Sequence, residues 1–369
     1  MKLNILVINW QDINNALGGG AEVHLHEIFK RIVKKGHNVT LLCCRYKDSS
    51  PEENIDGIQV FRRGTRNFFN YVVPGNYFRL NKKYDFDVVV DDINKIPFYT
   101  PIYVKKPLIG IIHHLFGDSI FREAGLPGAV YVNLSEKLIA PVYKNIPMAV
   151  VSESTQEELI NKGLKKENLH IIHNGVDMSR FRADKKSREI APAIGYFGRI
   201  KKYKSVDHLL QAFKIVQQKH ENARLYIMGD GDNLIDIKQL AKSLQISPKV
   251  TFTGPLKNGE KLNYLNKVWF TVNPSPKEGW GLTVIESNAC ALPVIAANSP
   301  GLRDSVVDKK TGLLYEYGNI EQLANLMILL IEDQKLREKL SKNSLEWAQQ
   351  FNWERSADKM IHLLENSIV

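Results

Sequence analysis

Short apolar runs alternate with amphipathic stretches in two separate sets along the chain, which confines the sequence to an α/β fold built on mostly parallel, doubly wound sheets. The first set opens at residues 5–9, passes through a helical pattern at 22–35 and returns to a strand at 38–43, with Gly36 at the break. Runs at 88–90, 107–112 and 148–152 continue it. The second set comprises 193–197, 224–228, 250–253, 269–273 and 293–297, separated by helical patterns such as 207–219 and 234–244. A length of 369 residues suits about two domains. The expected join is 184–192, where Lys, Asp, Ser, Arg and Pro cluster without apolar period. Two Rossmann-like domains are therefore expected, 1–185 and 190–350, with a helical tail interrupted at Phe351-Asn352-Trp353. In open α/β sheets ligands collect beyond the carboxyl ends of the strands, so chemistry is sought in a cleft between the two domains.

Charge and cysteine content narrow the function classes. Fifty Lys and Arg against forty Asp and Glu give a net charge of +10, which favours an anionic partner. Three cysteines, Cys43, Cys44 and Cys290, form neither a disulfide framework nor a zinc spacing, so no structural metal is expected and a reducing, cytoplasmic setting fits. The apolar run at 1–8 is too short for a signal-peptide core and reads as a first strand. No stretch of about 18 apolar residues occurs, so any membrane contact is expected to be peripheral.

Three loops at strand ends carry the candidate chemistry. Gly18-Gly19-Gly20-Ala21-Glu22 follows the first strand, and Gly19 and Gly20 would let backbone N–H groups approach a phosphate or sugar. The pattern is neither a dinucleotide fingerprint, because Val23 stands at the third glycine, nor a P-loop, and it also suits a plain strand-to-helix turn. Gly198-Arg199-Ile200 opens the second domain, placing Arg199 and Lys204 beyond a strand end, where a guanidinium fork and an ammonium would suit a diphosphate. An ordinary basic loop is the plainer alternative. The segment 274–286 follows a strand and opens a helix. There Gly279 and Gly281 permit close approach, the N–H groups of Leu282 and Thr283 offer an anion site, and Glu278 and Glu286 could accept hydrogen bonds from sugar hydroxyls. Thr283 and Glu286 also have capping-box spacing, which would make Glu286 structural, whereas Glu278 lies before the helix and has no such role.

In this order these motifs resemble the retaining GT-B glycosyltransferases of family 4. The likeness also runs through Gly36-His37-Asn38-Val39-Thr40, His173-Asn174-Gly175-Val176-Asp177, Phe181, Pro293-Val294-Ile295-Ala296 and Thr311-Gly312-Leu313-Leu314. It implies a nucleoside diphosphate sugar as donor, with Arg199 and Lys204 holding the diphosphate, Glu278 the transferred sugar and Glu286 the ribose. His113, one of a pair with His114 at the end of the 107–112 strand, is implied to lie near the donor sugar and the departing phosphate. Residues 351–369 are implied to cross back onto the first domain. The implied activity is transfer of a hexose-type sugar, with retention, to a glycan or lipid-linked acceptor bound by the first domain, with no essential metal or other cofactor. No covalent nucleophile is evident, so front-face transfer is expected, with the leaving phosphate helping to deprotonate the acceptor.

Two departures and two competing signals complete the reading. Ser205 replaces the usual glycine after Lys204 and is expected to cap the next helix, and Gly301-Leu302-Arg303-Asp304 replaces the commoner Gly-Gly-x-x-Glu. Asp85-Phe86-Asp87 has the spacing of a GT-A metal motif but reads as a solvated turn. The stretch 60–71 interleaves aromatics with Arg62, Arg63 and Arg66. It is expected either to meet an anionic membrane, at the inner face of the cell membrane, or a lipid-pyrophosphate acceptor, or else to be a strand edge followed by a buried aromatic helix face. A dehydrogenase is disfavoured by the missing fingerprint, an epimerase or phosphorylase by motif order. A non-catalytic GT-B-like carbohydrate- or nucleotide-binding protein is the alternative, and nucleic acid is not an expected partner.

Overall fold

The structure is a computed structural model that describes all residues except Lys95, Glu123, Ala124, Lys257 and Val369, together with the side chains of 118, 119, 122 and 258. The chain divides into two compact units, Met1–Gly175 with Trp353–Val369, and Val176–Asn352.

The first unit holds an eight-stranded sheet. Its strands are β1 (Asn4–Ile8), β2 (Asn38–Arg45), β3 (Glu52–Ile55), β4 (Ile58–Thr65), β5 (Val88–Ile93), β6 (Leu108–Ile112), β7 (Met148–Val150) and β8 (Leu169–Ile171). They lie in the order β3-β4-β2-β1-β5-β6-β7-β8, all pairs parallel except β3 with β4. The second unit holds β9 (Ala193–Phe197), β10 (Arg224–Met228), β11 (Val250–Gly254), β12 (Phe270–Asn273), β13 (Val294–Ala297) and β14 (Gly312–Tyr315), all parallel in the order β11-β10-β9-β12-β13-β14. That is the Rossmann order, in which the winding reverses between β9 and β12 and opens a crevice at their carboxyl ends.

The central strands are covered on both faces, so they read as unbroken apolar runs: Leu6, Val7 and Ile8 in β1 and Val88, Val89 and Val90 in β5 are fully buried. Each such side chain contributes about 1.5–3 kcal/mol. Helix Gly20–Lys34 starts where Glu22 folds back to accept the Gly19 N–H at 2.6 Å, presents Leu25, Ile28, Phe29 and Ile32 to the sheet, and ends before Gly36, which takes a φ of +99°.

Several boundaries differ from expectation. The 184–192 segment is not a free linker but part of the second unit: Asp184 N–H donates to Asn266 Oδ1 at 2.9 Å, Arg188 to the carbonyl oxygens of Leu265 and Cys290, and Trp269 Nε1 to Glu189 O. The division therefore falls earlier, after Gly175. Helix Gln334–Ala348 stops before Phe351, and helix Trp353–Asn366 packs on Gly20–Lys34 through Arg31–Glu354 at 2.9 Å and Lys35–Asp358 at 2.8 Å. Val369, the end of the expected 351–369 helix, lies outside the described residues. Strands β3, β8 and β14 are additions to the expected set.

Residues 60–65 belong to β4, and Val60, Phe61 and Arg62 are buried in it, which overturns a headgroup role for Arg62. Its guanidinium instead pairs with Asp12 at 2.7 Å and Glu53 at 2.7 Å. The Asp85-Phe86-Asp87 carboxylates are likewise committed, Asp85 to Lys106 at 2.8 Å and Asp87 to the Asn4 N–H at 2.7 Å. Among the described residues no helix is long and apolar enough to cross a membrane.

Candidate functional site

In the second unit the site is built at the winding reversal. The loop after β9 passes against the loop after β10, with Gly198 N–H donating to Met228 O at 3.1 Å and Ile200 N–H to Asp230 O at 2.8 Å. Only glycine fits the crossing, since a Cβ at Gly229, where φ is +141°, would stand 2.0 Å from Gly198 O. Tyr196 Oη donates to Arg199 O at 2.8 Å, and a short turn, Lys202–Lys204, then carries Lys204 inward.

Lys204 Nζ forms an ion pair with a Glu278 carboxylate oxygen, which joins the loop after β9 to the loop after β12. Burial would lower the Lys204 pKa, but the Glu278 charge outweighs it and holds the ammonium above its ordinary value, against the opposing charge of Arg199. Arg199 itself is exposed. Arg199 is near enough for its charge to act on Lys204, so two cations and one paired carboxylate stand beyond the strand ends.

The Glu278 backbone is braced from the next loop. Its N–H donates to Pro300 O at 3.0 Å, and Ser299 Oγ donates to Ser275 O at 2.8 Å. Gly301 takes a φ of +78°, and a Cβ there would stand 2.2 Å from Glu278 O. Helix Leu282–Ala289 begins directly after Gly281, which caps it at a φ of +79°. Leu282 and Thr283 are therefore its first two residues, whose N–H groups have no partner inside a helix. This corrects the capping-box expectation: Thr283 lies within the helix, so Glu286 is not its box partner.

Glu286 instead pairs with Lys261 at 2.8 Å, and the Lys261 ammonium lies 3.8 Å from the ring centre of Phe197 and 4.8 Å from that of Phe181. Burial lowers the Lys261 pKa, against the Glu286 charge. Ser205 departs from its expected role too. It takes a φ of +51°, its side chain makes no cap bond, and its Oγ meets Tyr317 Oη at 3.0 Å. The left-handed backbone that a glycine would adopt freely is here held by serine, at a cost of about 1 kcal/mol.

In the first unit His113 follows β6 and its Nε2 lies 3.0 Å from Asp92 Oδ1, at the end of the neighbouring β5. Thr155 Oγ1 donates to His113 O at 3.1 Å. His24, on helix Gly20–Lys34, meets the His113 ring edge-on with centres 4.8 Å apart. His24 is fully buried, and burial first, then the proximity of His113, lowers its pKa well below the usual histidine range. Beside them Asp91 accepts from Thr100 Oγ1 at 2.6 Å and Tyr143 Oη at 2.5 Å, and burial pushes its carboxyl up to about 6. The glycine loop is less open than expected: Gly18 N–H donates to Asn15 O at 2.8 Å and Gly19 N–H to Glu22, while Gly20 is the first residue of the helix.

Two family models match the chain side by side, Glycosyltransferase Family 4 over residues 18–180 and Glycosyl transferases group 1 over 177–347. The chain belongs to this glycosyltransferase family. The capsular polysaccharide biosynthesis glycosyltransferase CapM of Staphylococcus aureus is 31% identical over 208 residues, 52% of this chain and 54% of CapM, so the chain spans about half the length of that relative. Among solved structures, sucrose-phosphate synthase of Thermosynechococcus elongatus superposes with a TM-score of 0.83 at 19% identity, covering 99% of each chain. Anabaena HepE in complex with UDP-glucose gives 0.77 at 18% identity, covering 99% of this chain and 100% of HepE. At these identities the structures establish the fold, GT-B, with two Rossmann-like α/β units.

The family motifs thus bring Arg199, Lys204 and Glu278 together in one unit and set Glu286 on a separate ion pair, with His113 in the other unit. Lys261, Asp92 and His24 escaped the sequence reading. Lys261 sits on a polar helix 25 residues from its partner, and Asp92 lies two positions past the last residue of the apolar run 88–90. His24 had one available signal, its place on the inward face of an amphipathic helix, one residue before Leu25.

Proposed function

We propose that the protein transfers a hexose-type sugar from a nucleoside diphosphate sugar to an acceptor hydroxyl with retention at the anomeric carbon. The observation that carries this reading is the Lys204–Glu278 ion pair at the β9/β12 reversal, with Arg199 beside it. The UDP-glucose bound to HepE supports a nucleotide-sugar donor, and the capsular polysaccharide role of CapM supports a glycan or lipid-linked acceptor.

The C1–O bond to the diphosphate breaks and its electron pair leaves with the nucleoside diphosphate. The negative charge that develops there is met by the Arg199 fork, the remaining donors of Lys204 and the N–H groups of Leu282 and Thr283, so the protein itself supplies the positive field. Glu278, fixed through Lys204 and Gly301, accepts from hydroxyls of the transferred sugar, and Gly281 keeps the backbone clear of it. Glu286 accepts from the ribose while Lys261 orients its carboxylate. His113, its ring fixed by Asp92, contacts the donor sugar, and Gly19 and Gly20 line the acceptor side. The acceptor hydroxyl attacks the same face that the phosphate leaves, and its proton passes to the leaving phosphate oxygen.

The test is product analysis by proton NMR after incubation with UDP-, GDP- and ADP-sugars and a panel of glycan and lipid-linked acceptors. An α-linked donor sugar should give an α-linked product with release of one nucleoside diphosphate per transfer. A β-linked product would contradict retention, and no transfer from any donor would favour a binding protein that keeps the fold alone.

A further inference from the structure

Helix Leu126–Lys137 has one face in a small core, where Ala129 and Val132 pack with Phe116 and Ile120, and another that carries Leu126, Val130, Tyr131 and Leu134 into solvent, continued by Leu138. Leu126 is 69% exposed and Leu134 54%. A second helix, Phe69–Tyr84, meets it at its first turn: Asn70 Nδ2 donates to Tyr131 Oη at 3.1 Å, which brings exposed Phe68 and Tyr71 near Tyr131, and exposed Phe78 lies two turns further along that helix. A row of large apolar side chains left in water by two neighbouring helices marks an interaction surface.

The exposed charges of the two helices, Arg79, Lys82, Lys83 and Lys137, have one sign. Residues 57–84 contain Arg62, Arg63, Arg66, Arg79, Lys82 and Lys83 and no Asp or Glu. Arg62 is buried against Asp12, while Arg66, Arg79 and Lys82 are exposed. Across 125–145 the one acid is Glu136, buried and accepting the N–H groups of Phe116 and Gly117, and the exposed charges are Lys137 and Lys144. We propose that this two-helix face docks on an anionic lipid bilayer, its leucines and aromatic rings entering the headgroup boundary and its cations meeting lipid phosphates.

The composition separates this occupant from a second copy of the chain. A symmetric dimer through the face would set cations against cations, and lysine is depleted at protein–protein interfaces, whereas apolar side chains flanked by lysine match a membrane boundary. The surface expected at 60–71 is thereby moved: its first half is buried β4, and Phe68 and Tyr71 join a face whose larger part is the 126–138 segment.

Sedimentation of the full chain with vesicles tests this without donor or acceptor, so its outcome is independent of the transfer reaction. The protein should pellet with phosphatidylglycerol/phosphatidylcholine vesicles and not with phosphatidylcholine alone, and added salt should weaken the binding. Leu134→Ser/Leu138→Ser and, separately, Arg79→Glu/Lys82→Glu should each cut binding about tenfold or more with unchanged melting temperature, while Ile235→Ser, an exposed site in the other unit, should leave it unchanged. Equal binding to neutral vesicles, no binding to either kind, or full binding by both double variants would overturn the proposal. So would concentration-dependent dimerisation lost in Leu134→Ser/Leu138→Ser without vesicle binding, which would assign the face to a second copy.

Discussion

Lys204→Ala should lower the rate of sugar transfer by about 10²–10³-fold, the loss that follows removal of one fixed donor from developing negative charge. The variant also leaves Glu278 without its cation. Removing one partner of a fully buried pair costs about 3–5 kcal/mol, and because both side chains here keep some exposure the expected loss is nearer about 2 kcal/mol. The two effects separate in the double variant Lys204→Met/Glu278→Leu. Replacing both charges with apolar groups should recover most of the stability, since no unpaired charge remains, while transfer stays lost. Steady-state rates and urea unfolding on the three proteins check this. A double variant that regains both stability and transfer would reduce the pair to a structural tie.

Gly301→Ala should be among the most damaging single methyl additions to the second unit. The residue sits at a φ of +78°, and the new Cβ would meet Glu278 O at 2.2 Å and Glu278 C at 2.7 Å, backbone atoms with no flexible end to swing aside. Left-handed strain alone costs about 1–3 kcal/mol, and with the collision a loss of at least about 3 kcal/mol is expected. For a unit of this size that is roughly 6–12 °C in melting temperature. Because the same methyl displaces the carbonyl that carries Glu278, donor binding should weaken in any fraction that still folds. Gly20→Ala is the matched control: nothing lies within 4 Å of its Cβ position and its backbone is helical, so its melting temperature should hold or rise slightly. Calorimetric melts of the two variants decide the matter. An unchanged melt for Gly301→Ala would mean that the loop after β12 yields freely and does not fix Glu278.

The parts of this molecule that were legible from sequence are those where burial writes directly into composition. Strands β1, β5 and β9 are covered on both faces, so their residues are apolar without interruption and stand out from their surroundings. Arg199, Lys204 and Glu278 could be placed together because each follows such a strand, and the Rossmann order makes β9 and β12 neighbours although their paired residues Ile194 and Phe270 lie 76 positions apart. Strand β3, by contrast, is an edge strand whose residues Glu52–Ile55 alternate between exposed and half-buried, so its pattern resembles a loop. Arg62 was misplaced for a related reason: an arginine in an alternating strand reads as solvent-facing unless its partner is known, and Asp12 lies 50 residues away. Lys261 and Asp92 are invisible for the same cause, since each is defined by a side chain it meets only in the folded chain. Ser205 shows the converse, a position whose backbone demand is for glycine while the residue itself suggests a cap.

The central claim, that the second unit binds a nucleoside diphosphate sugar through Arg199 and its neighbours, is met most directly by thermal shift against UDP-, GDP- and ADP-sugars on the wild-type chain and on Arg199→Ala. A ligand that binds only the folded state stabilises by RT ln(1 + [L]/Kd), about 2.7 kcal/mol at a hundredfold excess over Kd. The account predicts a rise in melting temperature with one nucleotide series, lost in Arg199→Ala although that variant melts like wild type without ligand. A wild-type chain that no donor stabilises, or a shift that survives Arg199→Ala undiminished, would contradict it.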